Sequence, residues 1–306
     1  MTPLLRIGTR GSPLALAQTL GLRDALARAH GAAPETFEVV AIRTTGDAIT
    51  DRPLGEVGGK GLFTKELDIA LIENRIDLAV HSAKDLPTHL PPELQVAGYT
   101  AREDARDVLI SAKAAGLRDL PEGATVGTAS LRRAAQVKRL RPDMQTTLLR
   151  GNVETRLRRV ESGEIDATLL ALAGLKRLGL AHRATAVLDA SDFLPAVGQG
   201  AVAVTARRDD GPVLAALAPI LCVETGLALA AERAFLAVLD GSCRTPIAGY
   251  ARVAGDRVSI AGEVLRADGS ETFAARAEGA AAQAAQIGAE AGAAILGRLP
   301  PGVLVG

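Results

Sequence analysis

The segment Leu4-Leu5-Arg6-Ile7-Gly8-Thr9-Arg10-Gly11-Ser12-Pro13-Leu14-Ala15 decides the reading of the fold. Residues 4–9 form a short apolar run that reads as a strand. Ser12 is then placed to cap a helix whose first turn holds Pro13, where a missing N–H costs nothing. The helical pattern runs over 13–28 and is closed off by Gly31 and Pro34, after which 37–44 reads again as strand. A helix over 64–73 and a strand over 77–80 continue the alternation, which predicts an α/β sheet with crossover helices. The first strand-to-helix turn is therefore Gly8-Thr9-Arg10-Gly11-Ser12.

A second set of the same kind comes next, with strands over 108–110, 125–127, 146–149 and 167–172 and helices over 131–140 and 153–160. After an Ala-rich helix near 224–239 come strands over 247–253 and 258–264 and another Ala-rich helix near 281–296. Strands leading into a helix suggest a small α+β unit at the end. A length of 306 residues agrees with more than one core, since a single core stops growing at about 250 to 300 residues.

Composition narrows the function. The chain is 48% apolar with 35 basic and 35 acidic side chains, which excludes a disordered chain or a basic tail protein. The longest apolar stretch, 167–175, falls far short of the roughly 20 residues that span a bilayer. The first residues lack the basic, apolar and small-residue series of a secretion signal, so the cytoplasm is expected. Cys222 and Cys243 are expected to be free thiols there. The four His are widely spaced and no Cys lies in a CxxC pair, so no metal site is expected. Aromatic residues make up 2%, without Trp, which argues against stacking on single-stranded nucleic acid.

Arginine outnumbers lysine 29 to six, a bias that suits bidentate binding of carboxylates and that a GC-rich genome would also produce. Residues 125–185 hold twelve Lys or Arg against five Asp or Glu, a local excess that points to an anionic partner. Arg6 and Arg10 flank the first turn, Arg132 and Arg133 open a helix after Gly127-Thr128-Ala129-Ser130, and Arg150 ends a strand. Guanidinium forks at helix starts favour a polyanionic small molecule.

Gly58-Gly59-Lys60-Gly61 fails the phosphate-loop pattern, having Leu54 and Gly61 where Gly and Ser or Thr are needed. Gly198-Gln199-Gly200-Ala201-Val202-Ala203 fits a dinucleotide pattern formally, but the segment after Gly200 reads as strand rather than helix. Residues 47–61, with five Gly or Pro, read as a lid or as a plain loop. The run Asp77-Leu78-Ala79-Val80-His81-Ser82-Ala83-Lys84-Asp85-Leu86-Pro87 ends an apolar strand in a polar cluster, the place where ligands bind in open α/β sheets. Lys84 and Asp85 there read either as a solvated pair or as groups that bind an anion and steady a cation. Cys243, in Gly241-Ser242-Cys243-Arg244-Thr245-Pro246, lies in a polar turn beside an arginine that favours thiolate, and is a candidate nucleophile or attachment point. Cys222 lies among apolar neighbours and is expected to be a small buried hydrophobe.

Taken together, the runs LRIGTRGSPLALAQ, GDAITDRPLGEVGGKGLFTKELD, DLAVHSAKDLP, GTASLRRAAQ, LRGNVETRL, LAGLKRLGL, LPAVGQGA and GSCRTPI resemble the porphobilinogen deaminase family, also called hydroxymethylbilane synthases. The likeness covers nearly the whole chain in order. It implies a transferase of tetrapyrrole synthesis that joins four porphobilinogen molecules head to tail with loss of ammonia. It implies a covalent dipyrromethane cofactor, held by a thioether to the residue that matches Cys243. Asp85 matches the family's catalytic carboxylate. Lys84, Asp85, Thr128, Ser130, Arg132, Arg133, Arg150 and Arg156 match its cofactor-binding positions. Arg10, Ser12, Lys60, Phe63, Arg150 and Arg156 match its substrate-binding positions. Residues 47–61 match its active-site loop, where Glu56 stands in place of a Lys found in some relatives. Ala83 replaces a larger apolar residue.

The implied fold has two doubly wound α/β domains with mixed sheets, like those of periplasmic binding proteins, and a smaller α+β C-terminal domain. The boundaries expected are 1–100 with 201–218, then 101–200, then 219–306. The resemblance further implies a monomer with porphobilinogen as its partner and neither nucleic acid nor membrane. Two other classes fit parts of the sequence. A noncatalytic binding protein for an anionic metabolite would need neither Asp85 nor Cys243. A nucleic-acid binder acting through 125–185 would show salt-sensitive association.

Overall fold

The computed structural model describes residues 4–48, 61–239 and 245–304. These divide into two compact units, one made of 4–48, 61–103 and 201–226 and the other of 104–200 and 227–304.

The first unit is built on a mixed sheet of β1 (Leu5–Arg10), β2 (Phe37–Ile42), β3 (Leu78–Ser82), β4 (Leu94–Tyr99) and β10 (Val202–Arg207), in the order β2-β1-β3-β10-β4. β1 runs parallel to β2 and β3, while β10 is antiparallel to β3 and β4. The segment after Gly200 is thus a strand, which disposes of the dinucleotide pattern. Helix α1 (Pro13–His30) forms as expected, with the Ser12 hydroxyl accepting from Ala15 N and Gly31 closing the end in the left-handed region at φ 60°. Its Leu22 and Leu26 pack on Leu5, Ile7, Val80 and Val204 on one face of the sheet, joined by Val213 and Leu217 from the later helix Gly211–Leu217. Helix α2 (Lys65–Ile72) covers the other face, burying Leu67 and Leu71 against Ile76, Ala79 and Leu94. Helices on both faces make this a doubly wound layer arrangement.

The second unit repeats the plan with β5 (Asp107–Ser111), β6 (Thr125–Gly127), β7 (Gln145–Thr147), β8 (Ala167–Ala171) and β9 (Ala186–Val187), in the order β7-β6-β8-β5-β9. Helix α3 (Leu131–Leu140) covers a core of Leu109, Val126, Val137, Leu169 and Phe193. α4 (Val153–Glu161) and α5 (Leu172–Arg177) cover Val108, Ile110, Leu157, Leu170 and Leu175 on the opposite face. β7 stops at Thr147, short of the expected 149, so Arg150 lies beyond the strand rather than at its end.

The same unit carries a smaller antiparallel sheet of β11 (Ile247–Ala254), β12 (Arg257–Leu265) and β13 (Thr272–Ala280). Helix α6 (Gly211–Leu217) is followed in the chain by α7 (Val223–Val238) and α8 (Ala284–Leu296). Phe235 of α7 is fully buried beneath this sheet, where a Cβ on Gly262 would approach its ring to 2.4 Å. β13 escaped the sequence reading because Ala274, Ala275, Ala277 and Gly279 carry no strong hydrophobic period. Among the described residues, no single helix is long and apolar enough to cross a membrane.

Candidate functional site

In the first unit the candidate residues come from the C-terminal ends of β1 and β3. After β3 the chain makes one short turn over Ala83–Asp85, pinned by Ala83 N donating to Ala201 O at 3.0 Å. Ala83 is buried, while Lys84 is exposed and Asp85 half-buried, so the turn sends its two charged side chains outward. Arg10, the last residue of β1, places a guanidinium nitrogen 3.7 Å from Asp85 Oδ2 and stacks its fork 4.0 Å above the Phe63 ring. That ion-pair distance is too long for a hydrogen bond, so lone pairs of the Asp85 carboxylate remain for an N–H donor. Arg10, Ser12, Phe63, Thr64, His81 and Asp85 line one cavity. The Ser12 hydroxyl oxygen caps the helix by accepting from Ala15 N at 3.3 Å, and its O–H proton remains able to donate. Arg6 faces elsewhere, in a bidentate pair with Asp77 at 2.7 and 3.1 Å, and serves the sheet rather than the cavity.

His81 is a cavity residue to which the sequence reading gives no role beyond excluding it as a metal ligand, although it lies within the polar run that ends β3. Its Nε2 is 2.9 Å from Thr205 Oγ1, and burial together with the Arg10 charge pushes its pKa down to about 3. The imidazole is therefore neutral beside Asp85. Gln18 and Thr64 also face this cavity, and the only signal for Gln18 is its place two turns into α1.

In the second unit the candidates gather after β6 and β7. Thr128 Oγ1 accepts from Ser130 N at 3.1 Å, and the Ser130 hydroxyl caps α3 by accepting from Arg133 N at 3.4 Å. Both hydroxyls thus shape the turn that starts the helix. Arg132 and Arg133 then fall in its first turn and are buried.

Asp107, the first residue of β5, lies between them without solvent exposure. Arg133 donates twice to Asp107 Oδ1, at 3.0 and 2.6 Å, and Arg132 approaches Oδ2 at 2.8 Å. Burial alone would raise the Asp107 pKa, but the two guanidiniums outweigh it and hold the carboxyl well below the usual range. Gln199 adds a third donor to Oδ1 at 3.0 Å and bonds Ala105 O at 2.8 Å. The sequence reading assigns Asp107 no role, because a lone acid at a strand start carries no motif.

Arg156, on α4, donates to Gly151 O at 2.9 Å. Burial and the charges of Arg133 and Arg150 push its pKa down to about 10. Arg133, Arg150 and Arg156 therefore form one positive field, and such crowding is relieved when carboxylates enter. This arrangement fits a cofactor that bears several carboxylates. Lys60 and Cys243, the remaining expected contacts, lie outside the described residues, as do Glu56 and most of 47–61. Cys222 proves half-buried, its Sγ accepting from Thr225 N at 3.5 Å. No group of three or more His, Cys, Asp or Glu that could hold a metal occurs among the described residues.

Comparison with known proteins gives two family matches. Residues 5–215 match the family model described as porphobilinogen deaminase, dipyromethane cofactor binding domain, and residues 227–297 match the porphobilinogen deaminase C-terminal domain. The chain is 59% identical over 288 residues to a porphobilinogen deaminase of Nitrobacter winogradskyi, covering 94% of this chain and 91% of that one. It is 51% identical over 296 residues to that of Paracoccus denitrificans, covering 97% and 95%. Among solved structures, a putative methionine-binding lipoprotein from Bacillus subtilis is 14% identical, with a TM-score of 0.43 over 71% of this chain and 89% of that one.

Proposed function

Because this chain belongs to the porphobilinogen deaminase family, it joins four porphobilinogen molecules head to tail with release of ammonia, giving hydroxymethylbilane, and we propose that Asp85 is the carboxylate on which that transfer depends. The observation that carries this reading is the Asp85 side chain, aimed from a pinned turn into a cavity it shares with Arg10 and a neutral His81.

When the aminomethyl C–N bond of the substrate breaks, ammonia leaves and positive charge spreads over the pyrrole nitrogen. A carboxylate accepting that N–H stabilises the developing cation, and a fixed charge needs no reorganisation at the moment of reaction. Arg10, beside Asp85, counters a substrate carboxylate with its fork held over Phe63. Ser12 and Lys60 complete the substrate contacts. His81, held neutral, adds no cation to a site where one must form.

The family's dipyrromethane, when bound, supplies the pyrrole end to which the first substrate is joined. Cys243 is the residue proposed to attach it, with Lys84, Asp85, Thr128, Ser130, Arg132, Arg133, Arg150 and Arg156 as its other contacts. Of these, Arg132 and Arg133 already share Asp107, and Arg156 lies in a crowded positive field that an entering carboxylate would relieve. The division into 1–100 with 201–218, 101–200 and 219–306 is proposed as the domain arrangement, with the chain acting as a cytoplasmic monomer.

Replacing Asp85 by Ala tests the assignment. The variant is expected to keep the fold, since Asp85 is half-buried and supports no core contact, and to lose turnover by about 100-fold or more. Turnover like that of the wild type would refute the role.

A further inference from the structure

Glu263 is a buried acid that the mechanism above does not use. It lies on β12 with 7% exposure, on the face it shares with Ser259 and Ala261, opposite the face where Gly262 meets Phe235. Helix α3 packs over it. Arg139 donates to Glu263 Oε2 at 2.7 Å and to Asp192 O at 2.6 Å, while Glu263 Oε1 is closed to solvent and has no hydrogen-bond partner. The turn between β12 and β13 meets the same helix. Gly269, at φ 75°, sits so close that a Cβ there would lie 2.5 Å from Arg139 N and 2.7 Å from Ala135 O, both backbone atoms.

Helix α3 begins with Arg132 and Arg133, two of the arginines assigned to the cofactor. Arg132, Gln136 and Arg139 fall at i, i+4 and i+7 and so share one face of it. Arg132 and Gln136 both donate to Leu194 O, at 2.8 and 3.0 Å. The next residue, Pro195, offers its carbonyl to Gly249 N of β11 at 3.0 Å. Gly198 N and Ala251 N then donate to the two carboxylate oxygens of Glu232, at 2.6 and 2.8 Å. The strap of chain over 192–198 is thus bonded both to α3 and to β11. Glu263 closes the same link directly. It stands opposite Ala248 in the β11–β12 register, and Cys243 precedes Ala248 by five residues.

We propose that Glu263 is a positioning residue for cofactor attachment. Acting through Arg139, it docks the strand that follows Cys243 onto the helix that carries Arg132 and Arg133, so that thiol and arginines address the same molecule. An apolar contact there would hold the two elements together without fixing their register, whereas a buried charge-assisted hydrogen bond is satisfied at one geometry. The arginine end of α3 feels the same acid. Burial lowers the Arg132 pKa, and the charges of Asp107 and Glu263 oppose that fall. Attachment itself forms a bond between the Cys243 sulfur and the aminomethyl carbon of porphobilinogen as its C–N bond breaks, the thiol proton leaving with ammonia. Glu263 takes no part in that step. The assignment rests on Cys243 being the attachment residue.

Two measurements on the full chain decide the matter, with Glu263→Ala, Glu263→Gln and Gly269→Ala beside the wild type. The first is the rate at which apoprotein, made in cells that produce no porphobilinogen, gains the mass of two linked pyrrole units on incubation with porphobilinogen. It is read by intact mass, well below the Tm of each variant. Glu263→Ala and Gly269→Ala should slow that gain about 10-fold or more, because a displacement of about 1 Å is enough to cost that much. Glu263→Gln keeps an oxygen for Arg139 and should stay close to the wild type. The second is amide hydrogen exchange in the apoprotein. Residues 192–198 and the last turn of α3 should exchange faster in Glu263→Ala than in the wild type or Glu263→Gln. Uptake at the wild-type rate in Glu263→Ala, even with a lowered Tm, overturns the proposal. So does a loss in Glu263→Gln as large as that in Glu263→Ala, or exchange that the Ala variant leaves unchanged. Failure of the wild type to gain mass would instead count against the cofactor reading, while the exchange arm would still decide whether Glu263 docks the two elements.

Discussion

Asp107 shows what a single side chain can do without touching solvent. It is the shared anion of Arg132 and Arg133, and removing it leaves two guanidiniums buried without a counter-charge. Asp107→Ala is expected to cost about 3–5 kcal/mol, read as a lowered midpoint in urea. Its depressed pKa contributes stability above the unfolded carboxylate value, and that contribution is lost as pH falls through the folded one. Acid unfolding below the usual carboxylate range should therefore be less steep in a variant whose other acids are intact but whose Asp107 is Asn. Arg156 poses the converse case. Its proton affinity is lowered by burial and its two neighbours, so Arg156→Leu should leave the fold intact while reducing covalent cofactor on the purified chain, measured by intact mass. Full loading in that variant would remove Arg156 from the cofactor contacts. The Arg-rich motifs were legible in the sequence, but the acid that two of them share was not. Asp107 pairs with residues about 26 positions away through tertiary contact alone, and no local spacing encodes that.

Among the elements, the strand ends carry the candidate residues and the helices pack against the sheets that place those ends. The turns after β1 and β6 were readable because Ser12 with Pro13, and Ser130 ahead of Leu131, are local capping signals that the folded chain keeps. The cavity role of His81 was less readable, since it depends on Thr205 across the sheet. β13 was unreadable for a different reason, as its stabilisation comes from pairing with β12 rather than from its own side chains. Helix packing in the C-terminal part is tight enough to test. A Cβ on Gly288 of α8 would lie 1.9 Å from Ala231 O on α7, a backbone atom that cannot swing aside. Gly288→Ala is thus expected to destabilise by about 1–3 kcal/mol or more, seen as a fall in Tm. An unchanged Tm would mean that the two helices do not pack this closely.

At the scale of the whole molecule, a chain with no formal net charge concentrates positive charge in one stretch, 125–185, and the folded second unit gathers part of it into the Arg133, Arg150 and Arg156 field. The first unit carries a carboxylate, Asp85, in the turn after β3. The family matches extend over both units. The two-sheet α/β plan was readable from the strand-helix alternation, and the strand after Gly200 from its apolar run, whereas the antiparallel insertion of that strand between β3 and β4 was not, because such pairing leaves no periodic trace. Chain growth as proposed depends on a covalent primer at Cys243. The measurement that tests it most directly is the intact mass of the native protein beside that of Cys243→Ala. An excess equal to two linked pyrrole units is predicted on the native chain and none on the variant. Native protein that stays at its unmodified mass after incubation with porphobilinogen, or a variant that carries the same excess, would contradict it.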